Sequence, residues 1–178
     1  MKSEMIFSGF GGQGALAIGK FIAQSAMSEG KNVSWLPSYG PEMRGGTANV
    51  SVVVSDTEIA SPVVSFPHIM VALNQPSLDK FGPSVKANGL IVVNEDLCPN
   101  VVKRDGVDYV VAPLNKISKE IGDDKVLNMI AIGIIIEKTN IIKYDTLADH
   151  LTSFLKDRNA ELLALNLEAI KKGMELAR

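Results

Sequence analysis

The alternation of apolar and polar positions changes period repeatedly along the chain. Glu4-Met5-Ile6-Phe7-Ser8 is a short apolar run closed by glycine, the pattern of a buried parallel strand. From Gly12 to Glu29, residues Ala15, Ile18, Phe21, Ile22 and Ala26 recur at helical spacing, and Gly30 supplies the stop. Lys31 to Leu36 follows as a second strand, so the pattern predicts a strand–helix–strand unit with a right-handed crossover. Thr47 to Val54 is rich in β-branched residues and ends at the turn Ser55-Asp56-Thr57. Glu58 to Ser61 is expected to return as a short antiparallel strand before Pro62 and Pro67 break the pattern.

Further along, His68 to Leu73, Leu90 to Val93 and Val107 to Val111 predict three more strands, separated by turn residues. Pro76 suits the first turn of a short helix. Another short helix opens at Ala112-Pro113 and stops at Gly122. The last third is helical. Val126 to Ile136 is apolar on nearly every face and belongs in a core or a subunit interface. Leu147, Leu151, Phe154 and Leu155 form a one-sided stripe, as do Leu163, Leu167, Ile170 and Met174. Strands alternating with helices predict an α/β fold, a Rossmann-like, mostly parallel, doubly wound sheet with flanking helices and a helical C-terminal third. With no repeat, linker or low-complexity segment, residues 1–178 read as a single domain.

Composition narrows the function classes. The 178 residues carry 46% hydrophobic and 21% charged residues with a net charge of −2, which gives no electrostatic case for nucleic acid or an anionic membrane. The N-terminus shows no signal-peptide core, and the most apolar segment is shorter than the roughly 20 residues a span needs, so a cytoplasmic protein is expected. The single Cys98 rules out an internal disulfide and cannot by itself ligate an iron–sulfur cluster, which takes about four thiolates. His68 and His150, far apart, do not suggest a metal site.

Candidate chemistry concentrates in two loops. Gly9-Phe10-Gly11-Gly12-Gln13-Gly14 spells G-x-G-x-x-G between a strand and a helix, where free N–H groups and the helix dipole favour an anion. A dinucleotide site usually has an acidic residue after the second strand; here stand Ser34-Trp35-Leu36-Pro37, which argues against NAD. The second loop, Ser38-Tyr39-Gly40-Pro41-Glu42-Met43-Arg44-Gly45-Gly46, leaves the same sheet edge. Arg44 can clamp a phosphate or carboxylate and Glu42 can hold a cation or accept a proton; equally, the two can pair and pin the loop. No Ser-His-Asp, Cys-His, metal or carboxylate-pair arrangement can be assembled, so no catalytic residue is assigned. His68 reads as structural, Cys98 as a bystander and Trp35 as core or interface packing. Asn128, polar in an apolar helix, either satisfies a loop carbonyl or points into a ligand cleft.

Taken together, the two loops resemble those of the gamma subunit of 2-oxoacid:ferredoxin oxidoreductases, whose pattern pairs a G-x-G-G-Q-G loop with an S-[YF]-G-P-E-x-R-G-G loop. Similarity continues through Asn74-Gln75-Pro76-Ser77, Asn94-Glu95-Asp96-Leu97 and Asn128-Met129-Ile130-Ala131. The resemblance implies a subunit, inactive alone, of an enzyme that oxidatively decarboxylates a 2-oxoacid to an acyl-CoA and passes electrons to ferredoxin. It implies alpha, beta and delta partners that hold thiamine diphosphate, Mg²⁺ and iron–sulfur clusters, with none of these held by this chain alone. The implied role here is to help close the coenzyme A side of the shared cleft, which Gly9, Gly11, Gly12, Gln13, Gly14, Ser38, Tyr39, Gly40, Pro41, Glu42, Arg44 and Gly45 would face. The wording from Pro41 to Asn49 leans toward 2-oxoglutarate or branched-chain enzymes rather than pyruvate ones. A stand-alone CoA- or nucleotide-binding module and the small subunit of an indolepyruvate:ferredoxin oxidoreductase are the alternatives.

Overall fold

A computed structural model describes residues 1–39, 47–155 and 159–178. Its six-stranded sheet has the order β2-β3-β1-β4-β5-β6. The strands are β1 (Lys2–Phe10), β2 (Asn32–Tyr39), β3 (Thr47–Ser55), β4 (Ile69–Ala72), β5 (Leu90–Asn94) and β6 (Asp108–Ala112). The helices are α1 (Ala15–Ser28), α2 (Gln75–Phe81), α3 (Leu114–Ile121), α4 (Leu127–Thr139), α5 (Tyr144–Leu155) and α6 (Ala160–Leu176). The expected α/β sheet with flanking helices is present. Its pairs β1–β4, β4–β5 and β5–β6 are parallel.

Two details depart from the expectation. β2 runs in the direction of β1 but does not pair with it, because β3 lies between them, antiparallel to both. Burial explains the order. Val50, Val52, Val53 and Val54 of β3 are fully buried and claim an interior position, whereas β2 carries Ser34, Pro37 and Ser38, which suit an edge. The second departure is Glu58–Ser61, which forms no strand. Both edges of β3 are already taken by β1 and β2, so the returning segment has no ladder to join.

One face of the sheet carries the main core. There Met5, Phe7, Val50, Val52, Ile69, Val71 and Leu90 pack against α1 and the C-terminal helices. On the other face α2 covers Met70, Ala72, Ile91 and Val93. The helix α4 is buried nearly all round, as its sequence predicts, and packs against α1, α3 and α6. In α5, Leu147, Leu151 and Leu155 face inward, but Phe154 is exposed. The buried line of α6 also differs from the predicted stripe: Asn166, Ala169, Ile170 and Gly173 face the core, with Leu163, Leu167 and Met174 half-buried. Small residues win because the two helix backbones touch. A Cβ on Gly133 would lie 2.1 Å from the Ile170 carbonyl oxygen, and one on Gly173 would lie 2.0 Å from that of Ile130. None of the described helices is long and apolar enough to cross a membrane.

The crossing leaves nothing flexible to give way. Gly173→Ala is expected to lower unfolding free energy by about 3 kcal/mol or more, as overpacking against backbone does. Urea denaturation measures it; a loss below about 0.5 kcal/mol, the range of inert surface changes, would contradict so close a crossing.

Candidate functional site

β1 and β4 both end in loops at the carboxyl edge of the sheet, where open α/β folds bind ligands. After Phe10 the chain turns tightly, with the Gln13 N–H donating to the Phe10 carbonyl at 3.1 Å. Gly12 and Gly14 take φ of 92° and 93°, a backbone that L side chains rarely adopt. Gly14 is the N-cap of α1 and offers no side chain, so the helix starts at Ala15 with its first N–H groups uncapped. Those groups and the dipole behind them face a neighbouring acceptor.

A cavity of about 400 Å³ opens beside this loop, lined by Gly12, Gly14, Asn115, Lys125, Leu127 and Asn128 among others. Asn128 settles which of its two readings holds. It satisfies no loop carbonyl; its Oδ1 is buried without a partner among the described residues. It also lies against the loop, its Cβ 3.3 Å from where a Gly14 Cβ would sit. A groove between α1 and α5 is as large, about 500 Å³. Its polar groups Gln24 and His150 bond each other at 3.1 Å, so the unmet hydrogen-bonding capacity lies at the glycine loop instead.

A chain of side-chain amides braces this edge. Asn74 caps α2, its Oδ1 accepting from the Ser77 N–H at 2.9 Å. Asn94, fully buried, donates to the Leu73 carbonyl at 3.2 Å and to Asn115 Oδ1 at 2.7 Å, while its own Oδ1 accepts from the Leu114 N–H at 3.1 Å. Asn115 therefore presents its NH₂ group to the cavity it lines. These three asparagines escape a motif search. Their only sequence signal is an Asn just past an apolar strand or just inside the helix that follows one.

Of the predicted second loop, Ser38 and Tyr39 lie at the end of β2, and Tyr39 is exposed. Tyr39 pairs with Ala48, which pairs with Gly9, so both loops leave one edge. Gly40, Pro41, Glu42, Arg44 and Gly45 lie outside the described residues. Trp35, on β2, is partly exposed.

The remaining candidates sit elsewhere. His68 lies at the opposite edge, where its Nδ1 accepts from the Glu4 N–H at 3.1 Å. Burial and the neighbouring Lys86 charge hold its pKa below the ordinary value, keeping that nitrogen able to accept. Burial alone would raise Glu4, but hydrogen bonds and charges from Lys86, at 2.6 Å, and Lys2 outweigh it and hold the carboxyl low. Among the described residues no group of three or more His, Cys, Asp and Glu is arranged to hold a metal.

Comparison with known proteins decides the family. The family model described as pyruvate ferredoxin/flavodoxin oxidoreductase matches residues 4–176. The chain belongs to this family. It is 34% identical to the ketoisovalerate oxidoreductase subunit VorA of Methanothermobacter marburgensis over 96% of this chain, and it spans only 36% of that relative's length. It is also 34% identical to the 2-oxoglutarate synthase subunit KorC of Methanocaldococcus jannaschii, over 100% of this chain and 95% of the relative. A structure of 2-oxoglutarate:ferredoxin oxidoreductase from Magnetococcus marinus with 2-oxoglutarate, coenzyme A and succinyl-CoA bound superposes with a TM-score of 0.89 at 26% identity. That match covers 99% of this chain and 31% of the other. The resemblance read from the paired loops is thus borne out.

Cys98 is only 1% exposed, and burial followed by the Asp79 charge pushes its thiol up to about 11. At pH 8 about one thiol in a thousand is then ionised, and thiolate is the reactive form. The folded chain is expected to resist thiol labelling at pH 8 and to label fully in denaturant; labelling at a free-cysteine rate in the folded state would contradict this burial.

Proposed function

We propose that the chain is the gamma subunit of a 2-oxoacid:ferredoxin oxidoreductase and helps close the cleft where that enzyme binds coenzyme A. The observation that carries the proposal is the cavity at the glycine loop, with its uncapped helix N-terminus and its unpartnered Asn128 carbonyl. The residues fit coenzyme A. Free N–H groups of α1 and the Lys125 ammonium suit its phosphates, while the Asn115 NH₂ and Asn128 Oδ1 suit the amides of its pantetheine arm. Arg44, from the loop between β2 and β3, is the proposed fork for a phosphate. When bound, coenzyme A supplies the thiol that accepts the acyl group. This chain's share is to bind and orient it.

The thiamine diphosphate, Mg²⁺ and iron–sulfur clusters of the reaction belong in this proposal to alpha, beta and delta partners, since one buried cysteine cannot ligate a cluster. A cytoplasmic setting follows from such partners. Relatives of equal identity bear ketoisovalerate and 2-oxoglutarate names, which supports a 2-oxoglutarate or branched-chain substrate without choosing between them.

Gentle affinity purification from the native cells tests the assembly. Recovery with larger partners carrying thiamine diphosphate and iron–sulfur clusters, active on a 2-oxoacid, is the expected result; a lone protein that binds CoA by itself would favour an independent module. In the assembled enzyme, Arg44→Lys is expected to lower kcat/KM for CoA about tenfold, the cost of a lost bidentate contact, with little effect on decarboxylation. Equal loss of both activities would give Arg44 a structural role.

A further inference from the structure

We propose that Gln13 is a positioning residue: its side chain pins the glycine loop in the shape that turns the α1 N–H groups toward the cavity, and Gly9 is glycine to make room for it. The link to coenzyme A rests on the function proposed above; the pin itself does not.

The geometry is that of a clamp between two strand ends. Gln13 Oε1 accepts from the Phe10 N–H at 2.5 Å and from Asn74 Nδ2 at 3.2 Å, which fills both of its lone pairs. Its Nε2 points at the Leu73 carbonyl, 3.5 Å away. The amide is therefore turned back onto the ends of β1 and β4. A Cβ on Gly9 would lie 2.7 Å from Gln13 Oε1 and 2.9 Å from Leu73 Cβ, so the folded-back amide occupies the space a larger residue would need. By contrast, nothing lies within 4 Å of a Cβ on Gly12, whose glycine is demanded by its positive φ alone. Within one motif the glycines serve different ends: Gly9 admits the clamp, while Gly12 and Gly14 make the turn.

The Leu73 carbonyl is also the acceptor for Asn94, which holds Asn115. One carbonyl thus ties together both walls of the cavity, the glycine loop through Gln13 and Asn115 through Asn94. Loss of the clamp would leave the loop free to move against the other wall. The expected result is weaker coenzyme A binding with intact chemistry, because positioning groups set affinity and geometry without touching the reacting atoms.

Hydrogen exchange of the full chain without ligand tests the pin in wild type, Gln13→Met and Asn74→Ser. Met fills the same space without hydrogen bonds. Ser still caps α2 but is too short to reach Gln13. Amides of residues 11–17 are expected to exchange about tenfold faster in Gln13→Met and a few-fold faster in Asn74→Ser, with the centres of β1 and β4 unchanged. In the assembled enzyme, Gln13→Met should raise KM for CoA about tenfold while kcat at saturation holds. Unchanged loop exchange, or acceleration spread evenly through the core strands, overturns the pin. Faster exchange confined to the loop, in an enzyme whose wild type does not use CoA, supports the pin and removes the coenzyme A reading.

Discussion

The backbone contact between α4 and α6 is the constraint from which the rest of the molecule follows. Because Gly133 and Gly173 let the two helices meet at their main chains, α6 lies close enough to seal the outer side of an almost wholly apolar α4. The same packing presses α4 toward α1 and the sheet. Its N-terminal end is thereby carried to the carboxyl edge, with Asn128 against Gly14. The position of a polar residue in the candidate site is thus set by a crossing of small residues more than a helical turn away. Dispersion and area burial hold the frame, and the frame aims the amide.

Asn128 pays for that placement. A buried carbonyl without a donor costs on the order of 1–3 kcal/mol, and its neighbours along α4 are aliphatic. Around it the other amides of the edge are satisfied: Asn74, Asn94 and Gln13 all have partners. The contrast separates two kinds of polar residue at one edge. Satisfied amides brace the loops, and an unsatisfied one waits for a ligand group with a hydrogen to donate. Lys125 and the free end of α1 add positive potential on the same side.

Much of this was legible in the sequence. The strands announced themselves because parallel strands buried on both faces read as unbroken apolar runs, and glycines marked the turns. The two loops could be placed on one edge because strand direction alone decides that. Strand order was less accessible. The neighbours of β1 depend on which run is buried on both faces, and Thr47–Ser55 outcompetes Asn32–Tyr39 by a margin visible only after folding. Likewise, the apolar stripe of α6 suggested Leu163 and Leu167 as its inner face, where Ala169 and Gly173 take over because backbone contact excludes bulk. The bracing amides were hidden for a different reason. Asn74, Asn94 and Asn115 come together from separate strand ends, and no periodicity encodes a hydrogen bond across 20 or 60 residues.

The insertion of β3 changes what kind of object the second loop is. Between two parallel strands, a connection has to cross the sheet, and its length and path are tied to the helix that carries it. Here Tyr39 and Thr47 are the last and first residues of adjacent antiparallel strands, so the connection is the tip of a hairpin. A hairpin tip can change its sequence while both of its roots stay paired in the ladder. The fold therefore separates a part that must be kept, the Gln13-clamped glycine loop, from a part that can vary at little cost to stability. In a family whose relatives carry names with different 2-oxoacids, such a tip is where evolution can retune recognition without rebuilding the sheet.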